Sequence, residues 1–307
     1  MALGTGMSSL DLAVVIVTFN TRDLVLQCLK SVHEDADRTG RSYRLIVVDN
    51  ASTDDTATAI RGAFPQVQLI ENSANAGPAR AFNQGLQACA DSDFVLLMNS
   101  DIKVLPGTLG PMMDYLGSHP QVAGVSVRFI NPDGSPQKFR TSFGVSLWPR
   151  RFDRVFPITF FGTTFHLGRR LTYDEDQVGF FDENYYFFNE DLDWSIRANR
   201  QGLVFHFLPN LPVIHYRGRG QAQNRDRILG ALYQANLRIY AKFLGRSWAR
   251  FAYVIQTAHL LSKLIHLRLA GKHNSSDAAV YRLALEKQRH FMSNLRHGAA
   301  FADPIDK

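Results

Sequence analysis

Leu12 to Phe19 reads LAVVIVTF, an unbroken apolar and β-branched run. Such a run predicts a strand buried on both faces. Helical spacing follows from Arg22 to about Asp35, with Leu24, Leu29 and Val32 on one side. The alternation then repeats. Leu45 to Val48 predicts a strand, Asp54 to Phe64 a helix, and Val67 to Ile70 a strand. Pro78 to Ala90 predicts a helix with Ala79, Phe82, Leu86 and Cys89 on one face, and Phe94 to Met98 a fourth strand. Strands alternating with helices imply βαβ units and a parallel sheet joined by right-handed crossovers.

After Leu105 the pattern changes. Pro111 to Leu116 predicts a helix, Val122 to Phe129 a strand, and Asn131-Pro-Asp-Gly a tight turn of hairpin type. Arg140 to Phe165 is aromatic and irregular, and is expected to form an acceptor-side region. A helix is expected from Asn189 to Gly202, then short strands at Val204 to Phe207 and Val213 to His215. From about Arg225 the chain reads as basic helix.

Polar residues gather just past the strands. Thr18 and Asn20 follow the first, Asp49, Asn50 and Ser52 the second, Asn75 and Gly77 the third, and Asn99, Ser100 and Asp101 the fourth. Each cluster alone is ordinary turn chemistry. Four in succession point to a ligand, because open α/β sheets bind ligands beyond their strand carboxyl ends.

Between Gly179 and Trp194, five carboxylates (Asp182, Glu183, Glu190, Asp191 and Asp193) alternate with aromatic rings. Unpaired charges do not stay buried, and so many rings do not face water. A half-buried acidic site with aromatic walls is expected. Acids in the first helical turn are favoured by the helix dipole, which accounts for one or two of them. Asp191 and Asp193 cannot point the same way on a helix, so one is free to face substrate while the other makes a structural contact. Tyr185 to Phe188 are expected to wall a pocket beside them.

His215 lies in VIHYRGRG, where Arg217 and Arg219 offer forked donors to a diphosphate. Asp101, His215 and two phosphate oxygens would suit Mn2+ well and Mg2+ acceptably.

The net charge is +6, which suits an anionic partner. No nucleic-acid-binding motif accompanies it, so nucleic acid is not expected as a partner. No GxGxxG follows the first strand, which disfavours a nicotinamide enzyme. Cys28 and Cys89 give no disulfide framework and no metal motif. No signal peptide or transmembrane stretch is read, and a cytoplasmic location is expected.

These segments together resemble the inverting family 2 glycosyltransferases, which have the GT-A nucleotide-sugar-binding fold. The matching pieces are VVIVTFN at 14–20, VVDNASTDDT at 47–56, NAGPARAFNQG at 75–85, LLMNSD at 96–101, GFFDENYYFFNEDLDW at 179–194 and VIH at 213–215. They stand in the family's order and cover about residues 12–220. The similarity is greatest to rhamnosyltransferase-like enzymes of bacterial polysaccharide assembly.

The resemblance implies an α/β fold with a mostly parallel central sheet flanked by helices and a helical C-terminal extension. It implies that Thr18, Asn20 and Asp49 contact the nucleoside, and that Asn75, Gly77 and Arg80 form the next nucleotide-side loop. Asp101 matches the last acid of a metal-binding DxD motif, with Asn99 where many members have its first Asp. His215 matches a further metal position. Asp191 matches the catalytic base, with Glu190 as the fallback. The expected activity is transfer of a sugar, rhamnose from dTDP-rhamnose, to a saccharide or lipid-linked saccharide acceptor with help from Mn2+ or Mg2+. Two alternatives are the same chemistry with a UDP-hexose and a nucleotide-sugar-binding protein without catalysis.

The expected domains are a catalytic one at 1–225, with a nucleotide half at about 12–104 and an acceptor half at about 105–225, and a helical basic extension at 226–307. Within the extension, 247–269 is apolar yet carries Arg250, His259, Lys263, His266 and Arg268. Basic amphipathic helices lie in membrane interfaces, which would place the protein on the inner face of the cell membrane. Packing on the catalytic domain, or on another subunit of a homo-oligomer, is the competing expectation.

Overall fold

The computed structural model describes residues 10–137, 162–216 and 225–296. Among these, one compact unit holds 10–137, 162–181 and 194–216, and a second holds 182–193 and 225–296.

The first unit is built on an eight-stranded sheet in the order β3-β2-β1-β4-β7-β6-β8-β5. Its strands are β1 (Leu10–Thr18), β2 (Tyr43–Asp49), β3 (Gln68–Glu71), β4 (Ser92–Asn99), β5 (Ile102–Val104), β6 (Val122–Ile130), β7 (Phe165–Arg169) and β8 (Val204–His215). The half from β3 to β4 is parallel, with Thr18 opposite Asp49 and Val17 opposite Asn99. Helices α1 (Arg22–Asp37), α2 (Thr56–Ala63), α3 (Pro78–Gln87) and α4 (Leu109–Ser118) follow strands β1, β2, β3 and β5.

Both faces of the central strands are covered, as their unbroken apolar runs require. Leu12, Val14 and Ile16 pack with Val25, Leu29 and Val32 of α1 and Met112 of α4. Ala13 and Val15 pack on the other side with Phe82 and Leu86 of α3, and with Trp194. Close approach of α3 is enforced at Gly85, where an added Cβ would stand 2.1 Å from Val15 Cγ1.

The second half of the sheet differs from the sequence reading, which placed no strand at β5. Phe165 does not close an irregular stretch. It opens β7, which inserts antiparallel between β4 and β6. Five residues carry little periodicity of their own, so pairing on both sides makes this strand. The segments at Val204 and Val213 are one strand, β8, with a register shift opposite Val127 and Arg128. That irregularity absorbs Pro209 and Pro212, which a regular ladder would reject.

In the second unit, α6 (Arg225–Phe243), α7 (Arg246–Leu269) and α8 (Ser276–Arg296) pack pairwise on one another. Leu237, Ala241, Ala249, Phe291 and Met292 form their core. Helix α5 (Glu190–Arg200) starts in the second unit, and its part from Trp194 belongs to the first.

Candidate active site

Thr18 and Asp49 end paired strands, and both are buried. The Thr18 hydroxyl lies 2.8 Å from that of Thr21, which lies 2.8 Å from the Ser100 hydroxyl. The Ser52 hydroxyl donates to Asp49 and accepts from the Asn20 backbone N–H at 2.8 Å. Burial raises the Asp49 carboxyl above its usual range, and the hydrogen bonds from Ser52 oppose this without cancelling it. Asn20 takes a left-handed φ of 51° and Ala51 one of 69°. Non-glycine residues in this conformation tend to mark sites where surrounding structure enforces a shape.

Asn50 ties the second loop to the third. Its amide donates to Asn75 Oδ1 at 2.9 Å and to the Gly77 carbonyl at 3.2 Å, and its Oδ1 accepts from Asn72 Nδ2 and the Ala76 N–H. Asn75 Oδ1 in turn receives the Gly77 N–H at 3.0 Å. Gly77 has φ 83° and immediately precedes α3, a conformation glycine adopts without steric cost. Arg80 is exposed in the first turn of that helix. A helix N-terminus with a nearby cation favours phosphate.

Asp101 and His215 meet where β5 pairs with β8, Ile102 lying opposite His215. Asp101 Oδ2 is 3.3 Å from His215 Nε2, and both side chains are more than four-fifths buried. Gln137 decides which ring nitrogen holds the proton. Its Nε2 donates to the His215 carbonyl at 2.6 Å and to Asn131 Oδ1 at 2.9 Å, which turns Oε1 toward His215 Nδ1 at 3.1 Å. Nδ1 is therefore the donor, and a neutral ring aims its Nε2 lone pair at the carboxylate. Two acceptors facing one another need a cation or a proton between them. Asp101 Oδ1 is also buried with no hydrogen-bond partner. This donor set fits a divalent ion, with Gln137 as the outer partner that orients a ligating histidine. Among the described residues no group of three or more His, Cys, Asp or Glu side chains gathers for a metal. An ion at this pair would take its remaining ligands from substrate or solvent. Asn99 is half-buried at the end of β4, its N–H donating to the Thr164 carbonyl. Arg217 and Arg219 lie outside the described residues.

The acidic segment divides. Phe181 and Trp194 join the core of the first unit with Tyr173. In the second unit, Asp193 is fully buried, receiving the Tyr185 hydroxyl at 3.1 Å and pairing with Lys242 at 2.6 Å. Lys242 also pairs with Asp182 at 2.7 Å. Tyr185 is thus a buried structural residue rather than a pocket wall. Tyr186, Phe187 and Phe188 are half-buried. At the start of α5, Asn189 donates from its amide to Asn236 and accepts the Asp193 N–H on its carbonyl. Glu190 is buried with Oε2 unpartnered. Burial first, and the charge of Asp191 second, push its carboxyl up to about 8. Asp191 is half-buried, and its Oδ1 accepts the Leu192 N–H at 2.8 Å.

The family model described as glycosyl transferase family 2 matches residues 13–177, more than half of the chain. The chain belongs to this family. It is a glycosyltransferase of GT-A fold.

Among curated proteins, the N-acetylglucosaminyl-diphospho-decaprenol L-rhamnosyltransferase of Mycobacterium tuberculosis is 25% identical over 229 residues. The match spans 64% of this chain and 74% of that protein. Among solved structures, the mannosyltransferase PcManGT from Pyrobaculum calidifontis, in complex with GDP-Man and Mn2+, superposes with a TM-score of 0.55 at 16% identity. It covers 94% of this chain and 90% of its own. S. aureus TarS 1-349 gives 0.53 at 16% identity, covering 94% and 92%.

Two residues that the sequence reading did not single out support candidate positions, Gln137 behind His215 in the first unit and Lys242 behind Asp193 in the second. Asn50, the hub of the loops, stands where its place after a buried strand put it. Gln137 and Lys242 are 78 and 49 residues from their partners, and their types say nothing of the pairing.

Proposed function

We propose that this glycosyltransferase transfers a sugar, rhamnose from dTDP-rhamnose, with inversion onto a saccharide or lipid-linked saccharide acceptor. The observation that carries the metal-assisted part is the Asp101–His215 pair, with the lone-pair direction set by Gln137 and the unpartnered Asp101 Oδ1. The choice of sugar and acceptor is supported by the mycobacterial rhamnosyltransferase relative.

In this reading Asp49 and the Asn20–Ser52 network bind the nucleoside. Asn75, Gly77 and Arg80 form the neighbouring nucleotide-side loop, and Asn99, Arg217 and Arg219 assist at the nucleotide and its diphosphate. Asp101 and His215 would hold Mn2+ or Mg2+, which when bound neutralises charge on the leaving diphosphate. Asp191 accepts the proton of the acceptor hydroxyl. That oxygen bonds to the anomeric carbon from the side opposite the diphosphate, the bond to the diphosphate oxygen breaks, and the configuration inverts. Glu190, held mostly protonated at neutral pH, is the poorer proton acceptor there, which favours Asp191 for the role.

The test is a screen of nucleotide-sugars for metal-dependent donor hydrolysis and thermal stabilisation. dTDP-rhamnose is expected to lead, and Asp191→Asn to abolish transfer while keeping donor binding. Preference for a UDP-hexose would overturn the donor assignment. Normal turnover by Asp191→Asn would overturn the base assignment.

A further inference from the structure

Helix α7 (Arg246–Leu269) has two contrasting faces. One holds Ala249, Gln256 and Leu260, all buried. The other carries Trp248, Phe251, Val254, Leu261, Ile265 and Leu269, which are 45, 48, 63, 46, 59 and 84% exposed. With exposed Ala258, the intervals between these residues are three or four throughout, so they form one continuous stripe. Six of the nine large apolar side chains exposed among the described residues therefore belong to a single helix face.

Charge along the helix is of one sign. Arg250 and Arg268 border one edge of the stripe and Lys263 and His266 the other, all exposed. No Asp or Glu occurs from Arg246 to Leu269. Among the described residues no helix is long and apolar enough to cross a membrane.

We infer that this face of α7 docks in the plane of an anionic lipid bilayer, its apolar stripe among the acyl chains and its basic edges at the headgroups. The charge pattern selects this occupant. Two copies of the helix laid face to face would oppose Arg and Lys to Arg and Lys, whereas a uniformly negative surface satisfies both edges at once. A tryptophan at one end of the stripe suits the boundary between water and acyl chains. The inference does not depend on which sugar is transferred, nor on the roles given to Asp101 and Asp191.

The test is co-sedimentation of the full chain with vesicles of phosphatidylcholine alone and of equal parts phosphatidylcholine and phosphatidylglycerol. Binding to the mixed vesicles is expected, several-fold weaker on phosphatidylcholine alone and weakened by added salt. The variant Val254→Glu, Leu261→Glu, Ile265→Glu changes only exposed positions. It is expected to unfold at the wild-type temperature and to bind at least tenfold more weakly. A second variant, Arg250→Gln, Lys263→Gln, Arg268→Gln, should lose the preference for phosphatidylglycerol. Wild-type protein that stays in solution with mixed vesicles would overturn the inference. So would glutamate substitutions that leave binding unchanged, or lipid-free wild type that dimerises through this face while the glutamate variant is monomeric.

Discussion

Lys242→Met tests what holds the acidic segment in place. Lys242 Nζ lies 2.6 Å from Asp193 and 2.7 Å from Asp182. Asp193 has no exposed side-chain surface, whereas Lys242 keeps 28% of its own. Burial alone would raise the Asp182 carboxyl, but the hydrogen bond and charge of Lys242, with help from Asn184, hold it below its usual range. Methionine keeps the length and apolar stem while removing the charge. Asp193 would then stay buried beside the Tyr185 hydroxyl without the Lys242 charge. Removing one partner of a buried pair costs roughly 3–5 kcal/mol. Water at the partly exposed end of residue 242 offsets some of this, so a loss of about 3 kcal/mol is expected. At roughly 2–4 °C per kcal/mol for a domain of this size, the melting temperature should fall by about 6–12 °C. Urea denaturation followed by far-ultraviolet circular dichroism measures the change. The double variant Lys242→Met, Asp193→Asn isolates the cause. With the buried charge neutralised, it should recover more than half of the loss. A change below about 0.5 kcal/mol, as for an exposed pair, would refute the reasoning, as would a double variant no more stable than Lys242→Met.

Three further outcomes are expected. Gln137→Leu removes the acceptor that fixes the His215 tautomer, and Mn2+ affinity in the presence of a nucleoside diphosphate should weaken by about 10–100-fold; calorimetric titration giving wild-type affinity would remove Gln137 from the site. Glu190 has a folded-state value of about 8 against an ordinary 4.5, so below 4.5 both states are protonated and there is no penalty. As pH rises through this window the unfolded chain ionises first, and wild type should lose stability relative to Glu190→Gln by up to about 1.4 kcal/mol per pH unit, levelling off above about 8; a difference constant with pH in urea titrations would contradict the raised value. Gly85→Ala drives a methyl group to 2.1 Å from Val15 Cγ1, and overpacking of this kind should cost about 1–3 kcal/mol, read as a lowered urea midpoint; an unchanged midpoint would mean that α3 shifts freely on the sheet.

The parallel half of the sheet was legible because its strands are buried on both faces and announce this as apolar runs. From Leu12 through Met98 each element follows the local period, and the polar residues fall at strand ends in chain order. The other half was less legible. β7 is too short to show a period, and β8 is interrupted by two prolines whose accommodation depends on its neighbour. The segment from Gly179 to Trp194 read as one acidic site, yet its rings part company. Phe181 and Trp194 enter one core, Tyr185 is buried against Asp193 in the second unit, and Asp193 is sequestered by a lysine far along the chain. Local sequence carries no record of such partners.

The sequence by itself determined the alternation of strands and helices, the polar edge at the strand carboxyl ends, the family, and Asp101 and His215 as metal candidates. These rest on periodicity, turn chemistry and ordered motifs, all of which act over a few residues. Tertiary structure alone decided the insertion of β7, the tautomer that Gln137 imposes on His215, the burial that raises Glu190, and which face of α7 stays exposed. Each of these depends on which distant groups surround a side chain and how much water they exclude. Burial, dielectric environment and hydrogen-bond direction are properties of that enclosure, and they exist only once the chain has closed around it.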